Sequence, residues 1–186
     1  ASEVVCGGLR HPEQNPNPAA TLRYKYERKA DRRRAAILRN EHPYDQLSTF
    51  NLLVRRDVFM SIRFDADCHE YGYEDTLFGA ELERHGHSLL HVDNALVHVG
   101  LEANDIFLKK TETALHTLQG LQGKMHGHSG VLNMVSRLRR WHLAGVVRRV
   151  YHLLRSPIRR NLLGRHPSLF LFNLYKLGYF LELSSC

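Results

Sequence analysis

"YGYEDTLFGAELERHG", residues 71–86, sets two adjacent carboxylates, Glu74 and Asp75, between a glycine-and-tyrosine segment and an apolar run. Leu77, Phe78 and Leu82 recur at helical spacing, and Gly86 is a terminator, so the stretch predicts a helix opening at the acid pair. Two like charges side by side have two readings. Acids are favoured in the first turn of a helix, where unpaired amides and the dipole attract anions. They also suit an active-site wall, where one carboxylate takes a proton and its neighbour organises the surroundings.

Downstream, "HSLLHVDNALVHVG" (residues 87–100) reads as a strand, a turn at Asp93 and Asn94, and a second extended run to His98. "LEANDIFLKKTETALHTLQGL" is helical from about Asp105. Upstream, "SEVVCGG" is a short buried strand ended by glycines, and "HPEQNPNPAA" is a loop. "TLRYKYERKADRRRAAILRNE" predicts one charged helix, stopped by Pro43, with Lys29, Arg32, Arg33 and Asp31 on its solvent face. "STFNLLVRRDVFMSIRF" has strand character around Leu52–Val54, then a turn or helix start at Arg55–Asp57. Strands alternating with helices predict an α/β domain. The Gly7-Gly8 pair lacks the spacing of a phosphate-cradling loop that feeds a helix.

The 186 residues suit one domain with an appendage, and the 43% apolar fraction is enough for a core. No run of 18 uncharged apolar residues occurs, and "ASEVVCGGLR" has neither the basic start nor the apolar stretch of a secretory signal. Cys6, Cys68 and Cys186 form no disulfide pattern, which fits a reducing compartment. The net charge of +7 is unevenly placed: residues 1–112 hold 15 Lys and Arg against 18 Asp and Glu, whereas residues 113–181 hold 11 Lys and Arg and no acid. That tail predicts an anionic partner surface.

Within it, Val131 to about Leu154 reads as one long helix with Leu132, Val135, Val146, Val150 and Leu153 on one side. Arg137, Arg148 and Arg155 lie opposite, and Pro157 interrupts the pattern. Such a helix lies on a membrane surface or packs on its own domain. No nucleic-acid-reading module accompanies the basic runs, so nucleic acid is not an expected partner. The histidine pairs of "HGH", at residues 85–87 and 126–128, and "CHE", at 68–70, lack structural zinc spacing and read as turn and surface residues. Asp65 and Asp67 of "DAD" either hold Mg²⁺ or Mn²⁺ beside a diphosphate or are a surface-loop pair.

Taken together, "STFNLLVRRDVFMSIRFD", "YGYEDTLFGAEL" and "HVDNALVHVGLEANDIFLKKTETAL" resemble, in order and spacing, the C-terminal half of a bacterial family 2 glycosyltransferase. The resemblance covers about residues 1–121. It implies a partial GT-A-like mixed sheet with flanking helices, followed over residues 122–186 by a basic amphipathic helical extension. It implies transfer, with inversion, of a sugar from a nucleotide-sugar donor to a saccharide or lipid-linked acceptor, with Mg²⁺ or Mn²⁺ at the diphosphate. Asp75 takes the role of general base and Glu74 that of its support. Asn51 is placed near the sugar or acceptor pocket, and Asp65 and Arg39 are counted with it as substrate-binding. His98 matches a histidine that completes the metal site or contacts the diphosphate.

The family's metal-binding aspartates and nucleotide-binding strands precede the segment that "VVCGG" resembles. The resemblance therefore implies that they come from a missing N-terminal half, in cis or in trans, and that residues 1–186 alone are inactive. Without that half the sheet edge is expected to self-associate. The cysteine usage and the acid-free tail lead to an expected location in the cytoplasm, either free or peripheral on the inner face of the cell membrane. A non-enzymatic module that binds sugar or a membrane surface is the alternative.

Overall fold

A computed structural model describes residues 2–62, 72–125 and 127–184. In chain order the first elements are β1 (Val4–Cys6), β2 (Leu9–Arg10), α1 (Thr21–Asp31), α2 (Ala36–Arg39), β3 (Leu52–Val54) and α3 (Arg56–Ile62). There follow α4 (Glu74–Arg84), β4 (Leu89–His91), β5 (Leu96–Val97) and α5 (Asn104–Gly120). The last three are α6 (Gly130–Arg140), α7 (Ala144–Leu163) and α8 (Leu169–Leu183). They form a mixed α/β fold with small sheets and flanking helices, grouped in two compact units.

The first unit comprises, of the described residues, 2–16, 27–62 and 73–100. β1 is the middle strand: β3 runs antiparallel to it with Val4 opposite Val54, and β4 runs parallel to it with Val4 opposite Leu89. β2 and β5 form a second, parallel pair. Val4, Leu47, Val58, Phe78 and Leu82 make the core, so the apolar face of α4 lies on the sheet as its spacing predicts. Gly79 is required there, because a Cβ at that position would stand 2.4 Å from the Tyr44 carbonyl oxygen. Gly86 closes α4 at φ +71, with the His87 amide donating to Leu82 and its own amide to Glu83.

The second unit comprises residues 17–26, Gly72 and residues 101–184 among those described. Leu22, Leu108, Tyr151, Ile158, Leu162, Phe172 and Tyr175 form its core. α5 therefore groups with the tail helices, and the last continuous stretch of this unit starts at residue 101. α7 and α8 pack as an antiparallel pair at such close range that a Cβ on Gly178 would lie 2.1 Å from Tyr151 Cγ.

Three expectations about helices need correction. The charged helix predicted to run on to Pro43 ends at Asp31, and α2 is a separate short turn. Lys29, Arg32 and Arg33 are exposed, but Asp31 turns inward to His11 and Arg34, and those bonds outcompete another helical turn. The long tail helix is broken at residues 141–143. His142 adopts φ +57, its amide donates to Arg139, and the Leu143 amide donates to Leu138. This is the left-handed stop usually made by glycine. Pro157, in contrast, does not end α7, which continues to Leu163 because Ile158 and Leu162 are buried in the core.

Candidate functional site

The acid pair forms the first turn of α4, as the helix-start reading requires. Tyr73, just before it, holds a left-handed φ of 70° and makes no side-chain cap. Such a conformation costs an aromatic residue energy and marks a position held by its surroundings. Asp75 does more than open a helix. Its Oδ1 accepts a 2.7 Å hydrogen bond from Thr49 Oγ1, across 26 residues of chain. Burial pushes its carboxyl above the usual range and the neighbouring Glu74 adds to this, while hydrogen bonds from Thr49 and Ser48 oppose it. A half-buried carboxylate with raised proton affinity is a better base than an exposed one.

Thr49 opens the 3₁₀ turn Thr49–Asn51, stabilised by a Ser48 side chain that accepts from the Phe50 amide. The same turn carries Phe50, whose ring meets that of His98 edge-on at 5.1 Å. His98 in turn meets His11 at 5.6 Å. His11 is buried, and both its amide and its Nδ1 engage Asp31. Burial opposes ionisation of Asp31, yet bonds from His11 and Arg34 hold its carboxyl below the usual range. One short turn thus touches Asp75 through Thr49 and His98 through Phe50.

Asn51, in the same turn, braces the backbone: its side-chain amide donates to the carbonyls of Gly8 and Asn94. It also fills the space beside Gly7, where a Cβ would come within 2.3 Å of Nδ2. Arg39 is also turned inward. It is buried, and its N–H groups reach the carbonyls of Arg34, Cys6, Gly7 and Val92, as well as His91 Nδ1. These bonds occupy the whole guanidinium and leave no donor for a ligand. His91 Nε2 lies 2.8 Å from the Pro43 carbonyl, which assigns it the proton and makes Nδ1 the acceptor from Arg39. Burial, with the Arg39 charge adding to it, holds the His91 ring below its ordinary pKa.

Asp65 and its partner Asp67 lie outside the described residues, as do Cys68, His69 and His126. Among the described residues no group of three or more His, Cys, Asp or Glu side chains could hold a metal ion. The rings that meet His98 are an imidazole and a phenyl, and neither supplies the oxygen ligands that Mg²⁺ or Mn²⁺ prefers. Sequence reading missed Thr49, His11 and Asp31 as members of the cluster. A lone threonine in a turn and a histidine opening a proline-rich loop carry no local signal of distant partners. Searches against protein-family models, curated proteins and solved structures found no match to this chain.

Proposed function

We propose that the first unit is the acceptor side of an inverting glycosyltransferase of GT-A type. One observation carries the reading: Asp75 is half-buried, has raised proton affinity and is fixed through one oxygen by Thr49. The mixed sheet and the order of strands and helices agree with it.

In this reading the acceptor hydroxyl approaches the other oxygen of Asp75. Its oxygen forms a bond to the anomeric carbon of the donor as its proton passes to the carboxylate. The bond from that carbon to the nucleotide diphosphate breaks, and the diphosphate leaves with the electron pair. A sugar hydroxyl is a weak nucleophile, and a positioned base contributes roughly 10²–10⁴-fold to its attack. Thr49 holds the carboxylate in place, and Glu74 shapes the acceptor side and raises the proton affinity of its neighbour. Donor nucleotide and divalent ion are assigned to a partner half outside residues 1–186, and no step here passes through the ion.

The test is sugar-nucleotide turnover by residues 1–186 joined to or mixed with that half, comparing Asp75→Asn and Glu74→Gln with the parent. Asp75→Asn is expected to lose about 10²–10⁴-fold in kcat with donor affinity unchanged. Retention of more than about a tenth of kcat, against the loss a base implies, while Glu74→Gln abolishes turnover would assign the base to Glu74.

A further inference from the structure

α7 has three faces rather than two. At 100° per residue, Tyr151, Ile158 and Leu162 share an arc and are buried in the core of the second unit. Next to that arc runs an aliphatic stripe of Val146, Val150, Leu153 and Leu154. All four are exposed, Leu153 at 78% and Val146 at 53%. The remaining arc carries Arg148, Arg149, Arg159 and Arg160, which have no carboxylate partner among the described residues. Arg149 and Arg160 border the stripe on the side away from the core. Packing on its own unit, one of two readings the sequence allowed, therefore covers only the Tyr151 arc.

We propose that this stripe and its bordering arginines seat the chain on an anionic lipid surface. Charge complementarity selects that occupant: the helix presents free guanidinium groups beside side chains that gain only by leaving water. A nucleic acid would satisfy the arginines but leave four aliphatic side chains facing a sugar–phosphate backbone. Among the described residues no helix is long and apolar enough to cross a membrane, so the contact is interfacial. Trp141, the single tryptophan, is 62% exposed in the turn that leads into α7 and reports on its surroundings.

The test uses the whole 186-residue chain with phosphatidylcholine vesicles, with and without phosphatidylglycerol, at low and high salt. No sugar nucleotide is present, so the outcome is independent of the transferase reading. Expected are co-sedimentation with the anionic vesicles, a blue shift of Trp141 emission and loss of both at high salt. Arg149→Ala with Arg160→Ala should weaken binding on the order of tenfold. Leu153→Asp should abolish it, with Leu153→Ser as a milder variant and circular dichroism to show that each folds. Equal binding to both vesicle types, unchanged binding by the stripe variants, or preference for a DNA duplex that survives Leu153→Asp would each overturn the proposal.

Discussion

Replacing Asp75 by asparagine separates a helix-opening acid from a buried base by the sign of a stability change. If Asp75 only complements the first turn of α4, its charge stabilises the fold by about 0.3–1 kcal/mol. For a chain of this size each kcal/mol corresponds to about 2–4 °C in Tm, so the variant would melt roughly 1–4 °C lower at neutral pH. The surroundings of Asp75 point the other way. Burial raises its proton affinity in the folded state, so the folded chain binds the proton more tightly than the unfolded chain. Its contribution is then fully present below the unfolded carboxylate pKa and is lost as pH rises through the folded one. Asparagine keeps an oxygen to accept from Thr49 Oγ1 and carries no charge to bury. Asp75→Asn should therefore melt at or above the parent at pH 7, with its advantage shrinking as pH is lowered towards 3. Thr49→Val is the control. A hydrogen bond to a charged group contributes about 1.5–3 kcal/mol and one to a neutral group about 0.5–1.5, so this variant should lose more at pH 7 than at pH 3. Thermal unfolding by circular dichroism from pH 3 to 8 reads both. A drop of 1–4 °C for Asp75→Asn at pH 7 that fades as pH falls towards 3, the size and pH dependence expected of a charged helix-opening acid, would refute the reasoning and return the pair to helix opening.

Two further outcomes concern the helical unit. Gly178→Ala drives a Cβ into the buried ring of Tyr151, and overpacking of this kind costs about 1–3 kcal/mol; calorimetry should show a lowered Tm, and an unchanged one would mean that α7 and α8 pack less closely. Lys176 lies over the rings of Tyr26 and Phe172, and burial pushes its ammonium down to about 8 from an ordinary 10.5. Between those values the unfolded chain binds more protons, so stability of the parent should rise with pH across that window. Lys176→Met should flatten the rise and add up to about 3 kcal/mol at pH 7; a lower Tm at pH 7 would instead show that the two rings favour the charged form.

What the sequence by itself determined is whatever rests on local pattern. The apolar spacing of Leu77, Phe78 and Leu82 and the stop at Gly86 specify α4 without reference to the rest of the chain. The short apolar runs at β1, β3 and β4 and the acid-free tail were legible for the same reason, as was the place of Glu74 and Asp75 at a helix start. Tertiary structure alone decided the rest, because it depends on which distant group satisfies a buried polar one. Asp31 has the local setting of an exposed helical acid, yet His11, 20 residues away, takes its carboxylate and ends the helix. Arg39 looks available for a substrate until the carbonyls of β1 and the residue after β4 enclose it. The break at His142 lacks the glycine that would announce it, and Pro157 is carried through because its neighbours are buried. Thr49 meets Asp75 only after the turn that bears it and the first turn of α4 are brought side by side. A chemical environment such as the raised proton affinity of Asp75 is a property of that meeting, since desolvation and hydrogen bonding depend on what surrounds a group in space.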